Sequence, residues 1–179
     1  MGRESGLRRY QSMDLMIWTV MLFLFETIVV KAGTVWFRSQ PWTLSLVPAL
    51  TSVVYMRWGI YGVMYSALGG LAITTASGAG TAQYVIYIVG NLFSALSLLY
   101  LEKVGKEKVR SSTALSLLHG TLVFLLMELG RGTVSLVFGS GIGVYVDFIT
   151  KDILSWACAV VITWITRRRE GLLEEQVTH

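Results

Sequence analysis

Three short patterns place charged and ring-bearing side chains where they could act together. In "QYVIYIVGN", Gln83, Tyr87 and Asn91 recur at i, i+4 and i+8, so one helical stripe carries all three, with Tyr84 beside it. In "LLMELGRGT", Glu128 and Arg131 stand at i, i+3, within pairing distance on a helix. In "VYVDFITKDILSW", Asp147 and Lys151 stand at i, i+4, followed by Asp152, Ser155 and Trp156. Charges of both signs suit a zwitterionic ligand or a polar heterocycle. Tyr84, Tyr87 and Trp156 could stack on its ring, while Gln83 and Asn91 select its polar edges. The chemistry these types suggest is capture by binding.

Catalytic patterns are missing from the sequence. Asp147 and Asp152, at i, i+5, diverge by about 140° around a helix of 3.6 residues per turn, a poor arrangement for paired acid and base work. There is no G-x-x-x-x-G-K-[ST] phosphate loop, since "VGKEKVR" lacks its glycine spacing, and neither H-E-x-x-H nor G-x-S-x-G occurs. The single Cys158 and the distant His119 and His179 disfavour a metal centre or a disulfide framework. No cofactor, metal or enzymatic activity is expected.

The elements that must position these residues are membrane helices. Of 179 residues, 54% are hydrophobic and only 15% charged, and the mean hydropathy is +0.60; soluble domains carry about 25% charged residues. Apolar runs over about 15–35, 42–57, 60–76, 83–101, 112–130 and 145–166 predict an all-α integral-membrane fold of six helices in one domain spanning 1–179. The N-terminal "MGRESGLRRYQSMD" has signal-like charges but no convincing cleavage site, so the run after it is expected to be a retained helix.

The basic residues orient the bundle. With the N-terminus inside, Arg3, Arg8, Arg9, Arg57, Lys103, Lys106, Lys108, Arg110, Arg167, Arg168 and Arg169 are cytoplasmic, against Lys31, Arg38, Arg131 and Lys151 outside. Segment 1–14 and the tail 167–179 are then both cytoplasmic, in a cell membrane. This placement also explains the net charge of +4 without a nucleic-acid partner. The charges of the last two runs, with Gln83 and Asn91, fall at the outer level, and Glu26 and Lys31 lie in the outward half of the first run. An outward-facing polar pocket is expected there, with "RGTVSLVFGSGIGVY" as a lid or re-entrant segment. Pro48 is expected to bend the second helix.

The run "PWTLSLVPALTSVVYMRWGIYGVMYSALGGLA", with its S-L-V-P opening, short basic turn and closing glycine pair, resembles spans two and three of the substrate-binding S-components of energy-coupling-factor (ECF) vitamin transporters. "QYVIYIVGNLFSAL" is similar to their fourth span. The resemblance implies a six-helix subunit that captures a vitamin or related micronutrient from outside. It also implies association with a membrane coupling protein and two cytoplasmic ATPases, which would power transport. The first run carries no A-x-x-x-A for docking that partner; Ser66, Ala67, Gly69 and Gly70 offer a substitute surface. Two other readings stay open: a scaffold of the rod-shape MreD type, although "GGLAITTASGAG" lacks the acidic residue expected there, and a small intramembrane enzyme using Glu128 and Asp147.

Overall fold

The computed structural model describes residues 2–38 and 42–167, and among them every regular element is helical. In chain order these are α1 (Gly2–Trp36), α2 (Val47–Trp58), α3 (Tyr61–Ser77), α4 (Thr81–Asn91), a 3₁₀ turn (Leu92–Leu96), α5 (Ser97–Val104), α6 (Lys106–Ser111), α7 (Thr113–Val137), α8 (Val144–Lys151) and α9 (Ile153–Arg167). The tail expected over 167–179 lies outside the described residues beyond Arg167.

Each of the six expected apolar runs is largely helical, although the second becomes helical only from Val47 and the sixth breaks at Asp152, and they differ in reach. Three segments are long and apolar enough to cross a bilayer: Arg9–Trp36, Thr81–Val104 and Thr113–Val137. A fourth qualifies if α8 and α9, bent by 51° at their break, form one span. The outward face of α1 bears Met16, Val20, Leu24 and Ile28, all more than half exposed. A contiguous apolar stripe of this kind requires lipid or another apolar surface against it.

Helices α2 and α3, at 12 and 17 residues, fall short of these segments. At 1.5 Å per residue the first rises only about 18 Å. Every residue of α2 is buried, so it is an internal strut. The two form an antiparallel hairpin, because a side chain at position 62 would meet Tyr55 and one at 69 would meet Val47. Gly59 makes the reversal: its φ of 57° is costly for residues with a Cβ, and its N–H donates to the Tyr55 carbonyl at 2.9 Å. Pro48 does not bend α2. It sits in the first turn, where a missing N–H removes no helix bond.

Helix α4 tightens into its 3₁₀ turn directly after Asn91. The Ser94 hydroxyl donates to the Asn91 carbonyl at 2.6 Å, and Tyr55 shares a hydrogen bond with Ser94 at 3.0 Å. On its other side α4 meets α7 backbone to backbone. A Cβ at position 130 would collide with the Gly90 carbonyl, and one at 90 would lie 2.6 Å from the Arg131 nitrogen. The core proper, Leu22, Val53, Val54, Tyr55, Met56, Tyr65, Val123 and Met127 among others, fills the space around α2.

The α4–α7 contact tolerates no added volume. Gly90→Ala and Gly130→Ala should each destabilise the fold by about 1–3 kcal/mol through overpacking, seen as a lower thermal unfolding midpoint in detergent. A midpoint equal to that of the unaltered chain would show that the two backbones are not in contact.

Candidate functional site

Helical spacing and one helix break bring five polar side chains to one point. On α7, Glu128 and Arg131 are one turn apart; on α4, Tyr87 and Asn91 are one turn apart; and Asp152 occupies the break between α8 and α9. Arg131 is fully buried. Its Nη1 donates to Glu128 Oε1 at 2.6 Å and to Asp152 Oδ2 at 2.8 Å, and its Nε donates to Asn91 Oδ1 at 2.9 Å. The guanidinium carbon lies 4.5 Å from the centroid of the Tyr87 ring, in cation–π geometry. Asn91 extends the chain by donating from Nδ2 to the Ser66 carbonyl at 3.1 Å. One guanidinium thus ties α3, α4, α7 and the α8–α9 break together.

Glu26 of α1 is the third buried carboxylate, within Coulombic range of Arg131 and Asp152. Its Oε2 accepts from the Leu46 N–H at 2.9 Å. Further bonds hold the same stretch of chain: Thr43 N–H to the Lys151 carbonyl at 2.9 Å, and Ser45 N–H to Ser155 Oγ at 2.9 Å. The residues leading into α2 are therefore fastened on one side to α1 and on the other to the helix break that presents Asp152.

Beside these residues lies a cavity of about 370 Å³ between α1, the chain leading into α2, α3 and α4. Its walls include Phe37, Trp42, Ile73, Thr74, Gln83 and Tyr87. Phe37 and Trp42 meet edge to face with centroids 5.9 Å apart. Arg38 contributes the one charged side chain among the lining residues. Tyr87 belongs to both places, lining the cavity and covering Arg131.

The ten side chains singled out in the sequence separate into three groups. Gln83 and Tyr87 line the cavity. Asn91, Glu128, Arg131 and Asp152 form the buried network with Tyr87 and are not among the cavity's lining residues; within it Arg131 Nη2 and Glu128 Oε2 are buried without a hydrogen-bond partner among the described residues. The remaining four lie elsewhere. Asp147 and Lys151 pair at 3.2 Å on the surface, 64% and 44% exposed; Tyr84 donates to Thr75 at 3.4 Å; and Trp156 donates to Thr121 at 3.1 Å. The reason for the separation is desolvation: charges at this depth are stable when paired, and Arg131 gathers the available acceptors.

Phe37, Arg38, Trp42 and Thr74 are cavity residues that the sequence reading did not single out. The aromatic and basic composition of "WFRSQPW" was the available signal. Among the described residues no group of three or more His, Cys, Asp or Glu side chains could hold a metal ion. Comparison of the chain with known protein families, with curated proteins and with solved structures finds no match.

Truncating Arg131 should expose how much depends on it. Arg131→Ala removes every donor to Glu128 and Asp152 and should cost about 3–5 kcal/mol, as breaking a buried ion pair does. Arg131→Lys should restore less than half of this, since one ammonium cannot reproduce the fork that reaches Asn91 and both carboxylates. Asp147→Ala or Lys151→Ala should change stability by no more than about 0.5 kcal/mol. Thermal unfolding in detergent checks all four, and equal effects at 131 and 151 would refute the assignment.

Proposed function

We propose that this chain is a membrane-embedded capture subunit for a small molecule, of the kind its sequence resembles: an S-component of an ECF-type importer, with six spans and both termini cytoplasmic. In this reading the short α2 and α3 serve as the second and third spans, and α8 with α9 as the sixth. The observation that carries the reading is the aromatic-walled cavity of about 370 Å³ at one end of the bundle. Its size lies within the range of small-molecule pockets, roughly 300–1,000 Å³, and such pockets combine apolar walls with a few placed polar groups.

The lining favours a ligand class. A flat ring would pack among Phe37, Trp42 and Tyr87, gaining the offset and edge-to-face contacts that aromatic pairs prefer. Gln83, Thr43 and Thr74 would read its polar edge, and Arg38 would favour an acidic substituent. The charges buried around Arg131 bond to one another rather than line the cavity, so they would shape the wall that Tyr87 presents. A vitamin-sized heterocycle with one anionic group fits better than a zwitterion. The chain has no phosphate loop, so a coupling protein and two ATPases would supply the energy of transport.

Mass spectrometry of small molecules retained by the protein after purification in mild detergent tests the proposal. A ring-bearing molecule of vitamin size should co-purify with the unaltered chain and with Asp147→Ala, and should be lost from Trp42→Ala and Tyr87→Ala. With the molecule in hand, either cavity substitution should weaken binding at least tenfold, about 1.4 kcal/mol. Retention that ignores both substitutions would overturn it, as would the failure of a vitamin panel to alter tryptophan fluorescence. Cell-shape defects without any ligand would favour the scaffold instead.

Orientation is tested separately. On a Cys158→Ala background, Ser77→Cys and Gly141→Cys should react with an impermeant maleimide added outside intact cells. Reaction only after the cytoplasmic face is opened would invert the topology.

A further inference from the structure

The buried network does not balance its own charge. One guanidinium, Arg131, contacts two buried carboxyl groups, Glu128 and Asp152, and has a third, Glu26, within Coulombic range. Glu128 and Asp152 both meet the same Nη1, at 2.6 and 2.8 Å, so their two carboxyl groups crowd one donor. Two ionised carboxylates held this close in a buried site repel each other, and a proton taken up by the pair relieves the repulsion. Glu26 Oε1 and Glu128 Oε2 are fully buried without a protein partner. A metal ion is a poor candidate to compensate, because no carboxylate cluster of ligand geometry is present among the described residues.

We propose that these residues form an exchangeable-proton site. At neutral pH one proton is shared between Glu128 and Asp152 and a second resides on Glu26, which leaves Arg131 opposite a single negative charge. Both protons come from solvent and return to it. Among the described residues, the surrounding charged and titratable groups are Glu26 on α1, Tyr65 on α3, Tyr87 on α4, Glu128 and Arg131 on α7, and Asp152 at the α8–α9 break. Tyr65 donates its hydroxyl to the Trp18 carbonyl. The nearby Asp147 and Lys151 face outward and neutralise each other.

A site of this composition is more than a neutralised core. Glu26 holds the Leu46 amide, and Asp152 is flanked by Lys151 and Ser155, which hold Thr43 and Ser45. Thr43 also lines the cavity. Loss of either proton would put unbalanced negative charge beneath the stretch of chain that walls the cavity. The inference does not depend on the cavity taking a ligand, and its test uses the ligand-free full chain.

Infrared spectroscopy of the detergent-solubilised protein at neutral pH should show the carbonyl band of protonated carboxylic acids, shifted in heavy water. Glu26→Gln and Glu128→Gln imitate the neutral acids and should keep the fold while each removes part of that band. Raising the pH should abolish the band in the unaltered chain. A second measurement needs no variant. Unfolding releases both protons, so stability must fall as pH rises above neutral, with the folding equilibrium changing by about tenfold per pH unit for each proton. An absent band at neutral pH, a band unchanged in both variants, or stability that is flat or rising with pH would each overturn the proposal.

Discussion

A guanidinium without solvent contact, set among apolar helices, is the constraint from which much of this architecture follows. Arg131 cannot shed its charge, so its donors must find acceptors where water is excluded. Those acceptors come from three separated parts of the chain: Asn91 on α4, Glu128 on α7 itself and Asp152 at the α8–α9 break. Each part must stand at the same height. The bare contact between Gly90 and Gly130 becomes intelligible on these terms. Only when the α4 and α7 backbones touch does the short Asn91 side chain reach the guanidinium, and a single added methyl on either helix would push it away. The helix break at Asp152 works in the same direction by presenting the carboxylate from the bend of 51°.

Charge and cavity divide their roles along Tyr87. On one face of its ring lies Arg131, and the ring also forms part of the cavity wall. A charge whose Nε and Nη1 are already taken gives little to a ligand through them, since binding would first have to remove those partners. What such a network supplies is rigidity, holding an aromatic surface in one orientation at low entropic cost. The cavity is accordingly dominated by aromatic, aliphatic and hydroxyl-bearing residues, with Arg38 the one charge among its described lining residues.

The sequence made legible whatever depends on spacing along one helix. The Gln83, Tyr87 and Asn91 stripe, the Glu128–Arg131 pair and the Asp147–Lys151 pair all lie within local reach, and the last two pairs form as their spacing suggests. The pairing of Arg131 with Asp152 crosses 21 positions and a helix break that no local signal marked. The cavity was less legible still, because its walls come from α1, α3, α4 and the chain between α1 and α2, and a void belongs to packing rather than to any one segment. Pro48 shows the same limit on a smaller scale. Hydropathy started the second run at 42, whereas the helix starts at Val47, because Thr43, Ser45 and Leu46 spend their amides on Lys151, Ser155 and Glu26. Tertiary hydrogen bonds moved the boundary and turned an expected kink into a helix start.

Helix α1 also acts as a gauge for α2. Its Glu26 takes the Leu46 amide at one end of α2, and its Asp14 takes Trp58 Nε1 at 2.6 Å and Arg57 Nε at 2.8 Å at the other. The differences 26 minus 14 and 58 minus 46 give the same twelve-residue separation, about 18 Å on each helix. Two antiparallel helices matched in this way cannot slide past each other by a turn without breaking both attachments at once. Tyr10, which accepts from Arg57 at 3.2 Å, and Arg110, which donates to the Met56 carbonyl, reinforce the Asp14 end. The bundle is therefore unlike at its two ends, cross-linked by charge-assisted bonds around Asp14 and hollow beside Tyr87.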